Sequence, residues 1–249
     1  MKMTMNTTIS DAIKAYSGIE KILKKYDLDV CTNVDSTLNE LMDQNFAPPL
    51  EKERFLSEIL DAQLKKEKKD IVYDHLELDE LANHIEQKHH KYIEEKIPII
   101  KQHLERIVSV HGNRHPELRD IQSIFNEASG ELAMHLKKEE LILFPFIRKM
   151  VIAKRDRQII DKPGFDSIEI PIGRMHSEHN DETESFRQIR ELSNHYTVPK
   201  DGCGTYAIAF SMLREFEEDL LVHIEKENQN LFKRSIVLEK ELKAAKLIV

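Results

Sequence analysis

Glycine is scarce in this 249-residue chain, at 7 residues, and so is proline, at 8. Turn-rich β folds draw heavily on both, so their scarcity argues against a sandwich or barrel and for helices. Tryptophan is absent, and the only two cysteines, Cys31 and Cys203, stand far apart in unrelated contexts. Two such thiols can neither staple a small secreted scaffold nor supply the Cys-x-x-Cys pairs of a structural zinc site, and a reduced, cytoplasmic chain is expected. No apolar run approaches the roughly 20 residues that span a bilayer, and the opening MKMTMNTTISDAIKAY holds no stretch of signal-peptide length. Basic excess is missing too. The formal charge is −8, with no basic stripe interleaved with aromatics, which excludes nucleic acid as a partner. There is no phosphate-cradling glycine loop, no His-Glu-x-x-His and no nucleophile elbow.

What is present is a chain 40% hydrophobic and 33% charged, enough to bury a core. Apolar residues recur at helical spacing over 8–25 (Ile9, Ala12, Ile13, Tyr16, Ile19, Ile22, Leu23). A second short helix is expected to start after an N-cap at Asp35 or Ser36, and a third to cover about 50–66. The charged run KKEKKD then marks a domain boundary, dividing the chain into a small helical domain, 1–68, and a larger one, 69–249. The larger part reads as four long helices: Leu76 to Val110, bent at Pro98 and stopped by His111-Gly112; Pro116 to Met150; 171–195; and 204–240. Four such helices with short-to-medium connections predict an all-α, antiparallel four-helix bundle.

The stretch HLKKEELILF, His135 to Phe144, returns in altered form as HIEKENQNLF, His223 to Phe232. Residues four apart share a helix face, so His135 points with Glu139 and His223 with Glu227. In each copy the pair precedes a Leu-Phe step that orients it towards the core. His90 and His179 supply one further imidazole from each remaining helix. Four histidines and two glutamates without thiolate suit Fe, Mn or Zn, and are too many for one tetrahedral zinc. They fit two ions bridged by the glutamates and capped by two histidines each, a dinuclear iron site in the bundle core. His111 follows His90 by about 31 Å of helix, too far to share one centre. His89 lies about 100° around the helix from His90, and His176 precedes His179 by three residues, so both are expected behind the ligands or at the surface.

These residues resemble a known group, the iron-centre repair proteins of bacteria. The segments that carry the resemblance are HHKYIEEKIPII, ERIVSVHG, ELAMHLKKEELILFPFI, MHSEHND, LLVHIEKENQNLF and the leading KKYDLDVCTNVDSTL. The resemblance implies a hemerythrin-like di-iron bundle preceded by a small domain. Its metal ligands would be His90, His135, Glu139, His179, His223 and Glu227, with the two glutamates bridging. Glu131 and Glu178 match carboxylates close to the centre, and Cys31 stands where the family carries a Cys-Cys pair, here Cys31-Thr32. The implied function is repair of iron–sulfur clusters damaged by oxidative or nitrosative stress, by iron delivery or nitric oxide chemistry. Damaged iron–sulfur proteins and small ligands such as nitric oxide or oxygen would be the partners. Nitric oxide reduction and hemerythrin-like oxygen or nitric oxide binding or sensing stay open as alternatives, as does a homodimer.

Overall fold

The computed structural model describes residues 3–15, 19–26, 28, 36–44, 49–67 and 75–248. Cys31, and Asp35 as an N-cap candidate, lie outside them. Among the described residues there is no strand, only isolated bridges between Thr8 and Thr37 and between Ile160 and Ile248, and the all-α expectation holds. No helix there is long and apolar enough to cross a membrane.

Among the described residues, four helices lead the chain: α1 (Ile9–Ala15), α2 (Ile19–Lys25), α3 (Leu38–Gln44) and α4 (Pro49–Glu67). The start of α3 corrects the expected cap. Thr37 Oγ1 accepts from the Glu40 N–H at 3.1 Å, and Glu40 Oε2 accepts from the Thr37 N–H at 2.8 Å, so Thr37 closes the helix end where Ser36 was a candidate. A threonine followed three residues later by glutamate satisfies two otherwise free amides reciprocally.

The remaining helices are α5 (Leu78–Ile85), α6 (Lys91–His111), α7 (Glu117–Lys138), α8 (Phe144–Asp156), α9 (Glu169–Leu192), α10 (Gly204–Lys226) and α11 (Phe232–Ala244). Three π-helical turns weld them into longer rods: Glu86–His90 joins α5 to α6, Glu139–Leu143 joins α7 to α8, and Glu227–Leu231 joins α10 to α11. The four expected rods are therefore present, though three are each interrupted by a wider turn that simple periodicity does not reveal. Pro98 sits inside α6 without ending it. The real stop is Gly112, where a Cβ would collide with the Val108 carbonyl oxygen. At the far end of α8, Arg157 takes a left-handed conformation with φ of 52° and breaks the helix.

Contacts divide the chain into two compact units. One comprises Met1–Ile71, Ile100–Gln122 and Arg190–Glu215; the other comprises Val72–Ile99, Ser123–Ile189 and Phe216–Val249. In the first, Tyr26 packs edge-on against Phe55 at 5.2 Å and Ser211 Oγ donates to the Ile13 carbonyl at 2.9 Å. In the second, a core of buried residues including Leu81, Ile85, Phe144, Ile147, Met150 and Phe232 surrounds the π turns. Each such side chain contributes about 1.5–3 kcal/mol by leaving water. The loop entering α9 is clamped by the buried Glu239, which accepts from the Ile168 N–H at 2.9 Å and from Ser167 Oγ at 2.8 Å.

Candidate metal centre

All six ligand candidates meet within the second unit, and all are buried to 1% exposure or less. Two overlapping sets form there: His90, Glu139, His223 and Glu227, and His135, Glu139, His179 and Glu227, each with its donor atoms within 4.8 Å of one another. The two glutamates belong to both. Glu227 lies 2.9 Å from His223 Nε2, 3.1 Å from His179 Nε2 and 3.8 Å from His90 Nε2. Glu139 lies 3.4 Å from His135 Nε2 and 3.5 Å from His90 Nε2.

Several of these atoms have no ordinary hydrogen bond. Both Glu139 oxygens, Glu227 Oε2 and His90 Nε2 are buried without a partner of hydrogen-bonding geometry, and His135 Nε2 faces His179 Nε2 at 3.2 Å. Leaving a buried carboxylate unpaired costs several kcal/mol. Converging imidazole nitrogens and carboxylate oxygens in one dry spot fit a cation, which would satisfy all of them. The electrostatics agree. Burial opposes the charged form of His135, but Glu139, Glu182 and Glu227 outweigh it and push the imidazole up to about 10. Burial would raise the Glu227 carboxyl, yet its His223, His179 and His90 neighbours hold it well below the usual carboxylate range.

The repeated stretch now has a structural meaning at every informative position. Its histidine lies in the last turn of a regular α-helical segment, which ends at Lys138 or Lys226. Its glutamate opens a π turn, and its leucine, Leu143 or Leu231, closes that turn. Its phenylalanine restarts the α-helix and stacks on a histidine of another rod, Phe144 on His90 at 5.6 Å and Phe232 on His179 at 5.9 Å. His90 itself closes the third π turn. Such turns concentrate at functional sites because the extra residue re-aims a side chain.

The residue after each shared glutamate orients an imidazole from outside, a role that the sequence reading missed. Glu140 pairs with His90 Nδ1 at 3.0 Å and Asn228 with His179 Nδ1 at 3.0 Å. These contacts turn each Nε2 inwards. The signal was the matched position of Glu140 and Asn228 in the two copies. Of the acidic candidates, Glu178 pairs with His135 Nδ1 at 2.8 Å and is held by Lys138. Glu131 is solvent-exposed. Also unforeseen is Glu182, 4% exposed, with both oxygens unpartnered and one 3.8 Å from His135 Nδ1. Burial raises its carboxyl to about 7.

The other histidines fall where expected. His111 is buried in the first unit, its Nε2 3.3 Å from Cys203 Sγ and its ring edge-on to Tyr206, outside the cluster. His176 is exposed. His89 is fully buried, stacked on His223 at 5.7 Å, with Nδ1 2.9 Å from Asp219 and Nε2 2.9 Å from Lys226 Nζ.

Residues 81–235 match the hemerythrin HHE cation binding domain. The chain is also similar to a probable iron-sulfur cluster repair protein of Haemophilus influenzae, 28% identical over 226 residues, covering 91% of this chain and 95% of that one. An iron-sulfur cluster repair protein of Enterobacter, YtfE, is 28% identical over 219 residues, covering 88% and 91%. ScdA, the iron-sulfur cluster repair protein of Staphylococcus epidermidis, is 20% identical over 232 residues, covering 93% and 99%.

Proposed function

Because the chain belongs to the hemerythrin HHE cation-binding family, we propose that its six converging residues hold two bridged iron ions and that the protein repairs damaged iron–sulfur clusters. The observation that carries this reading is the sharing of two fully buried carboxylates, Glu139 and Glu227, by two histidine pairs. Donors of this kind suit iron, manganese or zinc, and the names of the similar proteins favour iron. Bound there, iron would supply a change of oxidation state and open positions for nitric oxide or oxygen species.

The chain's own part is positional. Glu139 and Glu227, common to both donor sets, would be shared by the two ions, and the four histidines would hold them. Glu140, Glu178 and Asn228 fix three of the imidazole rings through Nδ1. Burial excludes water from all six. Iron carried to a damaged cluster is the cargo in this reading, and the clients are iron–sulfur proteins inactivated by oxidative or nitrosative stress. All six donors fall within residues 69–249, which residues 1–68 precede as a small helical part, and the protein works in the cytoplasm.

The test is iron and zinc per full-length chain with the visible spectrum, followed by incubation with a purified iron–sulfur enzyme whose cluster has been damaged by nitric oxide. About two irons, and recovered enzyme activity matched by iron lost from the chain, support the reading. Two zincs, or no iron after growth in iron, overturn it. Steady nitrous oxide production with undiminished iron would instead assign nitric oxide reduction.

A further inference from the structure

The two halves of the centre are related by the repeat, His90 answering to His179 and His135 to His223, but the residues behind them break that relation. Before His179 stands Glu178, which pairs with His135 Nδ1 and is held by Lys138. Before His90 stands His89, which stacks on His223, leaves His223 Nδ1 buried without a partner, and takes Lys226 on its own Nε2. Lys138 and Lys226 occupy the same place in the two repeats, so an acidic partner in one half is exchanged for an imidazole in the other. Three residues after His179 comes Glu182, buried 3.8 Å from His135 Nδ1; three after His90 comes the fully buried Ile93. Both differences place a carboxyl group behind His135. His90 has an acidic partner too, Glu140, while His179 has the Asn228 amide, so each position holds one carboxylate-backed imidazole. What stays unequal is the buried Glu182 beside His135 and the partnerless Nδ1 of His223, behind which His89 meets Asp219 and Lys226.

We propose that the two metal positions are unequal: the first ion enters between His135 and His179, and the ion between His90 and His223 is held more weakly and leaves first. This rests on the two-metal reading above. An imidazole whose Nδ1–H is given to a carboxylate is a better donor and better oriented, and loss of such a partner costs about 10- to 100-fold in metal affinity. His135 has Glu178, with Glu182 close by. His223 has none. The released cargo would therefore be the ion at the His90–His223 position, with His135 and His179 retaining the other.

The experiment is a titration of the full chain, stripped with a chelator, with cobalt(II), whose visible absorption reports binding. Two ions should bind in steps at least about tenfold apart. His223→Ala should keep one ion at the wild-type first-step affinity. His179→Ala should bind its ion at least about tenfold more weakly, each variant being checked for wild-type helicity. His89→Glu supplies the missing acidic partner and should bring the second step closer to the first, and Glu182→Gln should weaken the first step alone. A wild-type chain that binds no ion, or only one, would refute the two-metal reading itself. Two ions of equal affinity, or His223→Ala losing the tight ion while His179→Ala keeps it, would overturn the inequality and leave that reading intact.

Discussion

Replacement of Glu227 by glutamine changes one charge at a fully buried position, and the structure sets its expected size. The carboxylate lies 2.9 Å from His223 Nε2 and 3.1 Å from His179 Nε2, with neither partner exposed to more than 1%. At about 3 Å and an effective dielectric near 20, one charged pair is worth about 5 kcal/mol before desolvation is set against it. Breaking a buried pair by removing one partner typically costs about 3–5 kcal/mol net. In the metal-free chain Glu227→Gln should therefore lose about 3 kcal/mol, which for a protein of this size lowers Tm by roughly 6–12 °C. The pH dependence has a definite sign. The folded carboxyl is held below its ordinary value, so its contribution is present above about 4.5 and lost as pH falls through the folded value. Wild type and variant should thus converge in acid. Calorimetry and urea unfolding of chelator-treated protein across pH, with metal analysis of untreated protein, make the assay. Unchanged Tm together with full metal content in the variant would refute the assignment of Glu227 as a buried bridging group.

His135→Ala should lower the metal content, whereas Glu131→Gln, at an exposed position, should leave it and should shift stability by less than about 0.5 kcal/mol. Elemental analysis beside urea unfolding compares the two. His111→Ala should cost about 1–3 kcal/mol, since it removes a buried ring packed on Tyr206 and Cys203, yet metal per chain should be that of the wild type. Loss of metal there would place His111 in the centre after all. Glu182 gives a second pH prediction. Its folded carboxyl is raised to about 7, so its contribution in the metal-free chain is full below about 4.5 and falls by about 3 kcal/mol as pH rises to 7. Urea midpoints from pH 4.5 to 7.5 should show this decline in wild type and a flatter profile in Glu182→Gln; identical profiles would contradict it.

The sequence by itself determined the helical class, through scarce glycine and proline and the 3.6-residue spacing of apolar side chains. It also singled out the six donors that the fold brings together. Residues four apart on a helix must share a face, so His135 with Glu139 and His223 with Glu227 could be paired without knowing the fold. The repeat of that device pointed to a shared centre. Other features became visible only with the rods packed together. The π turns depend on hydrogen bonds five residues apart that leave the hydrophobic pattern nearly unchanged. The true cap of α3 was decided by Thr37 and Glu40 finding each other. Glu182 reads in sequence like any surface glutamate. It is buried because α9 turns that face towards His135, and only the packing of separate rods fixes which side chains stand behind each imidazole. Local spacing decides which donors a helix can offer together. Only tertiary structure decides which outer groups orient and charge them, because those contacts join residues from different helices and are written in no single stretch of chain.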